Sequence, residues 1–326
     1  MKKTISIVSL IIITLLTQSC SYDDTFNLEI KENKLVLNAV LVANEIPTIY
    51  VGKVFNPTGN VPDSNYIADA EVKLFENNSS VGSLIFQKNG VYTLPNLKLK
   101  VGNSYFFKVK AKGYPDTYNT PVLIPKNVES NSVIFDNKTV YPSTGYNSNG
   151  NGDDNKARLL SVKLSNSINE KYYGISIKKT KSGSDVSGNI YPIEIGKFDF
   201  YKLNTDCYKS ISLIDDINYN SGQKPYNPSI LYSASCFGKE KTMGVVVETY
   251  GTVNTPNFAD VYNSTIDRLE VTVVTLSEEY FNYSKNIKVI EGIDNAFFEP
   301  KRVYTNVVNG YGVVVAINKK VVVFNL

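Results

Sequence analysis

The chain has 326 residues, rich in tyrosine (23) and phenylalanine (15), and contains neither histidine nor tryptophan. Without histidine, His-based acid–base catalysis, Ser-His-Asp and Cys-His arrangements and His-ligated zinc, copper, iron or haem are excluded. The 34 basic and 31 acidic residues give a net charge of +3 with no block of like charges, so there is no electrostatic footprint for nucleic acid.

Lys2 and Lys3 form a short positive segment, Thr4 to Leu16 is apolar, and Thr17-Gln18-Ser19-Cys20 sets a small residue before a cysteine. The apolar run falls well short of the roughly 20 residues that span a bilayer, so it reads as an export signal. The pattern is that of a bacterial lipoprotein: residues 1–19 are a signal peptide and Cys20 carries palmitate-type acyl chains. Each buried methylene contributes about 0.8 kcal/mol, so several chains anchor durably where one anchors marginally. A plain secretory signal with an incidental cysteine is the competing reading, since Leu16 and Gln18 depart from the usual lipobox. Ser21-Tyr22-Asp23-Asp24 is similar to the short acidic tag that sends Bacteroidota lipoproteins to the outer face of the outer membrane. Ser21, Asp23 and Asp24 therefore predict a lipid-anchored protein facing the cell exterior, and residues 20–34 form its acidic tether.

The rest is patterned as strands. Leu35 to Val42 is a strongly apolar strand, Thr48 to Val54 a second, and Asn56 to Asp63 a loop with two prolines and a glycine. Ala70 to Phe75 alternates, with Val72 and Leu74 inward. Asn77-Asn78-Ser79-Ser80 reads as a turn, and Val81 to Gln87 as the partner strand. Tyr105, Phe107, Val109 and Ala111 share one face of a half-buried strand, with lysines on the other. Short strands at intervals near ten residues predict an immunoglobulin-like sandwich over residues 35–125. Residues 126–326 predict a second β-rich domain: strands at Val128 to Phe135, Leu159 to Leu164, Tyr172 to Ile177, Met243 to Glu248 and Leu269 to Leu276. Between the first two, Tyr141 to Asp154 is a low-complexity loop. One packed helix is expected over residues 277–291, capped by Ser277, with Glu278 and Glu279 at its positive end and Tyr280, Tyr283, Ile287 and Ile290 on one face. Gly312 to Ile317, a turn at Asn318-Lys319-Lys320, and Val321 to Phe324 read as a closing hairpin. The fold class expected is mainly β, with tandem β-sandwich-like domains.

Candidate sites are few. Cys207 and Cys236 pair most simply in an oxidising compartment, and closing a loop of about 30 residues would stabilise the fold by roughly 3–4 kcal/mol; two buried thiols are the alternative. Asn147, Asn149, Asn151 and Asp153 superficially suggest a calcium loop but lack the glycine and glutamate an EF-hand needs, so no metal is expected. Adjacent acids at Asp153-Asp154, Asp215-Asp216 and Glu278-Glu279 read as solvated surface charge. Tyr114, Tyr141, Tyr191, Tyr219 and Tyr226 lie in or near loops, where rigid aromatics suit a glycan or peptide ligand. The competing reading is a β-rich core that keeps tyrosine hydroxyls at its rim.

Four stretches taken together resemble an uncharacterised family of Bacteroidota outer-membrane lipoproteins, catalogued as domain of unknown function 4249. They are Lys34 to Ala39; Ile67 to Phe75 with its alternating AxVxL core; Val101-Gly102-Asn103-Ser104-Tyr105 through Ala111-Lys112-Gly113-Tyr114 to Ile124-Pro125; and Leu276 to Phe281, followed by Phe298-Glu299-Pro300 and Tyr304 to Val313. The charged end from Asn318 to Leu326 departs from the family's glycine-rich finish, and Tyr311 stands where leucine is usual. The resemblance implies an outer-membrane lipoprotein often encoded beside a TonB-dependent receptor, and it brings no activity and no catalytic residues. Anchor, β architecture, resemblance and missing catalytic chemistry together predict a non-enzymatic accessory or binding subunit of a TonB-dependent transport system, with no cofactor. An independent glycan- or protein-binding adhesin is the alternative.

Overall fold

The computed structural model describes residues 33–54, 64–135, 141–142, 156–163, 170–181, 184–186, 190–193, 208–210, 230–234, 242–248, 250–252, 263–265, 267–287 and 304–326. Apolar–polar alternation in the first part becomes β1 (Leu35–Val42), β2 (Thr48–Lys53), β3 (Glu71–Glu76), β4 (Ser79–Ser83), β5 (Ile85–Lys88), β6 (Val91–Thr93), β7 (Ser104–Lys110), β8 (Thr117–Asn119) and β9 (Val122–Leu123). The second part supplies β10 (Val133–Phe135), β11 (Tyr141–Pro142), β12 (Lys156–Lys163), β13 (Tyr172–Lys181), β14 (Ser184–Val186), β15 (Ile190–Ile193) and β16 (Tyr208–Ser210). It continues with β17 (Ile230–Ser233), β18 (Thr242–Glu248), β19 (Tyr250–Thr252), β20 (Asn263–Thr265), β21 (Arg268–Leu276), helix α1 (Glu278–Ile287), β22 (Val307–Val308) and β23 (Tyr311–Asn325).

Among the described strands, one large sheet runs in the order β16-β17-β13-β21-β23-β1-β2-β6-β5, with β14 beside β13. A second sheet, β22-β8-β7-β3-β4 with β9 beside β7, packs on it through Leu35, Leu37, Ala39 and Leu41 of β1 against Val72, Leu74, Tyr105, Phe107 and Val109. A third, β10-β12-β18-β15 with β11 beside β12, packs through Leu160, Val162 and Val247 against Tyr173, Ile175, Leu269, Val271 and Val273. Val314 and Ala316 of β23 enter the first core, and Val322 and Phe324 pack on the second. These positions share parity along one strand, so both cores lie on one face of the large sheet. The opposite face carries α1, whose Tyr280 packs with Val40, Val42, Val274, Val313, Val315 and Ile317. The mainly β, sandwich-like architecture agrees with the sequence pattern. Ile124 packs in the first core and Val128 in the second, while Val307 of β22 and Val314 and Ala316 of β23 return to the first.

Several local elements differ from the sequence reading. Of the strand expected at Val128 to Phe135 only Val133–Phe135 is extended, after a 3-10 turn over Ser130–Ser132, and Tyr141–Pro142, expected to open a loop, pairs with β12 as β11. The expected strand at Val81 to Gln87 divides at buried Leu84, so that β4 joins the second sheet and β5 the first. The β3–β4 turn uses Asn77 and Asn78 alone, at φ 47° and 70°, a left-handed region asparagine tolerates better than most residues. The expected closing hairpin is instead one unbroken strand of 15 residues. Asn318-Lys319-Lys320 does not turn, because its neighbours hold it straight. The backbone pairs onward with β21 as far as Asn325; Asn318 is buried and donates Nδ2–H to Pro125 O (2.9 Å), and Lys319 pairs with Glu45.

β1 and β23 pair in parallel, from Val36↔Tyr311 to Val42↔Ile317. Strands buried on both faces read as near-continuous apolar runs, and both Leu35–Val42 and Val313–Ile317 do so. The close approach at its start depends on Gly312, at φ 96°, where a β-carbon would fall on the Leu37 carbonyl and the Asn38 side chain. Asn38 interrupts the β1 run for a reason: its Oδ1 accepts from Val313 N (3.1 Å).

β21 joins β23 only from Ile317 onward, so the other edge of β23 before that point needs partners. Side chains provide them. Thr305 Oγ1–H donates to Gly312 O (2.6 Å), and Asn306 both accepts from Val314 N (2.9 Å) and donates to Val314 O (2.8 Å). Ser277 Oγ accepts from Ala316 N (3.1 Å) and from Tyr280 N (3.3 Å), so the helix cap also closes the edge. Pairing buried backbone groups in this way avoids desolvation costs of about 1–3 kcal/mol each.

Gly312→Ala is expected to cost about 3 kcal/mol or more, whereas Gly113→Ala, also at positive φ (84°) but with nothing within 4 Å, costs about 1 kcal/mol. Urea unfolding midpoints test this; equal losses in the two variants would show that close packing against β1 is unimportant.

Candidate functional site

Where the chain leaves the first core, Pro121 and Pro125 flank β9. Because Val122 and Ile124 point inward, Leu123 points out and stays 47% exposed. Across from it, Glu170 and Lys171 lead into β13, and Ser277, Glu278 and Glu279 open α1. Together they line a cleft of about 320 Å³, with Ser104, Tyr172 and Leu276 completing the wall. The Tyr172 ring stacks on Phe281 (centroids 4.0 Å apart, 14° between planes), which fixes one side. Glu170 Oε1 accepts from Lys126 N at 2.9 Å, tying the cleft to the segment that links the two cores.

Charge in the cleft is uneven. Glu278 and Glu279 sit where a helix N-terminus favours carboxylates, and Lys171 Nζ lies 3.6 Å from Glu278 in an exposed pair that contributes little. Three carboxylates against one ammonium leave the lining negative, beside the apolar Leu123, Pro121, Pro125 and Leu276. Such a surface can hold a ligand with an apolar body and a cationic group. Ser277 Oγ is buried and already accepts two backbone hydrogen bonds, so it is a cap and not a nucleophile.

Beneath the cleft a polar network pins the linker. Asn127 Nδ2 donates to Val273 O (3.3 Å) and Asn318 O (2.7 Å), and its Oδ1 accepts from Thr275 Oγ1 (3.2 Å). The second sheet presents a different surface: Phe75 and Phe106 stack at 4.7 Å, Lys108 Nζ lies 4.8 Å from the Phe75 centroid, and Tyr118, opposite Lys108 in register, is 39% exposed.

Of the tyrosines singled out in the sequence, the three described ones, Tyr114, Tyr141 and Tyr191, do not line the cleft, whereas the acidic pair Glu278-Glu279 does. Tyr114 follows β7 in a turn and packs, half-buried, against the first core. Tyr141 and Tyr191 fall in strands, paired with Ala157 and Val246 of the third sheet. Tyr219, Tyr226, Cys20, Ser21, Asp23, Asp24, Cys207, Cys236 and the asparagine-rich run around Asn147 lie outside the described residues. Among the described residues, no three His, Cys, Asp or Glu side chains cluster to hold a metal, and no helix is long and apolar enough to cross a membrane. The sequence reading missed Leu123, for which it named no element, and Tyr172, which it read only as strand; the signal available was Leu123 between two prolines, an outward apolar residue on a very short strand.

Buried tyrosines with bonded hydroxyls explain part of the tyrosine content. Tyr92 Oη–H donates to Ile67 O and accepts from Ala70 N, both at 3.0 Å, fixing the entry to β3. Tyr105 Oη–H donates to Glu76 (2.7 Å) and accepts from Lys100 N (2.9 Å). Burial pushes the Tyr105 phenol up to about 12, and hydrogen bonds from Tyr105 and Asn103 hold the Glu76 carboxyl below its ordinary value.

Fold and cleft together define a β-sandwich protein in which two cores share one sheet and meet at an open cleft. The chain belongs to the family of the domain of unknown function DUF4249, whose pattern it matches over residues 23–321. No curated protein matches it. Among solved structures it is similar to a β-glucuronidase from glycoside hydrolase family 2, at 12% identity and a TM-score of 0.21, covering 87% of this chain and 22% of that one. It is also similar to extracellular domains 3–5 of Drosophila OTK, at 8% identity and a TM-score of 0.18, covering 75% of this chain and 93% of that one. At those scores neither likeness carries an argument.

Tyr105→Phe is expected to cost roughly 1–3 kcal/mol at neutral pH. A depressed carboxyl stabilises the fold above its unfolded value near 4.5 and loses that contribution as pH falls through the lower folded value. The stability gap between wild type and variant should therefore narrow below about pH 4.5. Chemical denaturation at pH 7 and pH 3 measures it, and a constant gap refutes the Glu76 coupling.

Proposed function

We propose that the protein is a lipid-anchored, non-enzymatic β scaffold of the outer membrane that serves as a binding or accessory subunit of a TonB-dependent transport system. The observation that supports it best is the join between the N-terminal signal pattern and the fold. Cys20 lies fifteen residues before Leu35, which opens the strand that both the first core and the packed helix use. A rigid body on a short acyl-anchored tether suits presentation of a surface beside a membrane partner. The junction cleft, with its apolar residues and negative lining, is the surface offered for a cationic peptide segment or a transported nutrient. Ser21, Asp23 and Asp24 supply the export tag in this reading, and Cys207 and Cys236 a disulfide. Co-purification from detergent-solubilised outer membranes is expected to recover a TonB-dependent receptor with the native chain. Reproducible recovery without any such receptor refutes the accessory role.

A second reading, an independent glycan- or protein-binding adhesin, is favoured by the exposed face of the second sheet, where Phe75, Phe106, Lys108 and Tyr118 lie together. Glycan-array binding by the purified protein that is lost on Phe75→Ser with Phe106→Ser would establish it; full binding by that variant would remove it.

A further inference from the structure

The last seven residues of β23, Lys319-Lys320-Val321-Val322-Val323-Phe324-Asn325, are rich in the β-branched and aromatic side chains that favour extended backbone. On one side they pair with β21 without a register shift. On the other they have passed β1, whose ladder ends at Val42↔Ile317 and whose chain then turns away, with Ala43 N donating to Ile317 O (3.0 Å). Strand alternation tells which backbone groups are left over. Ala316 O accepts from Ser277 N and Leu326 N donates to Asp267 O, both at 2.9 Å, so even-numbered residues bond toward β21. Lys319, Val321, Val323 and Asn325 therefore aim their N–H and C=O groups away from it. No other described strand pairs with β23 along this stretch.

Water can serve these groups in a single copy, because all four residues are exposed, Val321 at 47% and Val323 at 44%. The linker between the cores does not cover them: Asn127 bonds Val273 O and Asn318 O, just before the open stretch begins. An exposed strand edge is a template for pairing with another chain, and folded proteins usually shorten, kink or charge it. The strands that end the other described paths follow that rule: β4, β5, β10, β15, β16 and β22 are two to five residues long. The β3–β4 and β5–β6 ladders also carry register shifts, and Gln87 Nε2 donates to Ile85 O (3.3 Å) at the β5 edge. The end of β23 is longer, regular and apolar beyond its two lysines.

We propose that this edge pairs with the same edge of a second copy of the chain, antiparallel across a two-fold axis, so that the large sheet continues from one copy into the other. The incoming strand takes the place beside β23 that β1 vacates. A second copy is the occupant because the stretch complements itself. With Val322 opposite its own counterpart, Val321 of each copy faces Val323 of the other, and Lys319 faces Asn325. Lys320 then lies across from Phe324, so no like charges meet. The same register matches outward-facing residues with outward-facing residues, and each such pair exchanges both its hydrogen bonds. Val321 and Val323 have the parity of Val313, Val315 and Ile317, so the valines of the two copies form one apolar cluster on the face that carries α1.

Sedimentation velocity of the full-length chain in detergent, with micelles in excess, tests this. The wild type is expected to form a dimer that dissociates on dilution. Val321→Lys combined with Val323→Lys sets lysine against lysine across the two-fold axis and alters only exposed side chains. It should weaken the dimer roughly tenfold or more while leaving the far-ultraviolet circular dichroism unchanged. A second variant reads the register. Val322→Cys would meet its counterpart in a pair without hydrogen bonds, where Cα atoms lie about 4.5 Å apart and a disulfide can close. Mild oxidation is expected to link the two substituted positions, mapped by mass spectrometry, whereas Ile134→Cys, exposed but away from this edge, should give no such link. A wild-type chain that stays monomeric up to roughly 0.1 mM overturns the proposal and leaves the edge to a strand from a different protein. So does a dimer that the double lysine variant forms equally well, or one in which Val322→Cys stays unlinked.

Discussion

β23 changes partners halfway along its length, and the whole architecture hangs on that exchange. Up to Ile317 it lies parallel to β1 and closes the first core; from Ile317 it lies antiparallel to β21 and closes the second. A strand can serve two partners in succession only if each vacated edge is satisfied, because an unpaired buried amide costs as much as the contacts around it gain. Thr305, Asn306 and Ser277 meet that requirement before the exchange. At the exchange itself, Ala43 N donates to Ile317 O (3.0 Å) as β1 turns away.

The buried and half-buried polar residues of the seam thus have a common purpose. Asn38, Asn127, Thr275, Asn306 and Asn318 sit among valines and leucines, where an unbonded amide would be strongly unfavourable. Each is bonded to backbone or to another of the set. An apolar seam of Leu and Val alone could slip by two residues and still bury its side chains. The asparagines bond in one register only, which makes them determinants of alignment as much as of stability.

This seam also places the candidate site. Pro125, held by Asn318, and Lys126, held by Glu170, bring the first core's exit against the start of α1. Much of the surrounding structure was legible locally. Tyr105, Phe107 and Val109 alternate as a half-buried strand should, and all three are buried; Ser277 followed by two glutamates marks a helix start, and the helix begins there. The cleft was not legible, because Leu123, Tyr172 and Glu278 are far apart in the chain and each has an ordinary local explanation. Tyr114 shows the converse: a tyrosine beside a proline in a turn looks available for binding, yet it packs on the core.

While short strands such as β6, β8, β9, β17 and β22 went unnamed, the sequence by itself determined the mainly β composition, the longer strands such as β1, β2, β3, β7, β13 and β21, and the described α-helix. These follow from period-two or helical spacing, capping residues and turn residues, all of which act over a few neighbours. Only the tertiary structure decided that the last strand is continuous. Asn318-Lys319-Lys320 has the composition of a turn, and it stays extended because β21, Pro125 and Glu45 hold it from outside. The parallel union of β1 with β23 was likewise decided in three dimensions, since residues more than 270 positions apart leave no local pattern that names their partner.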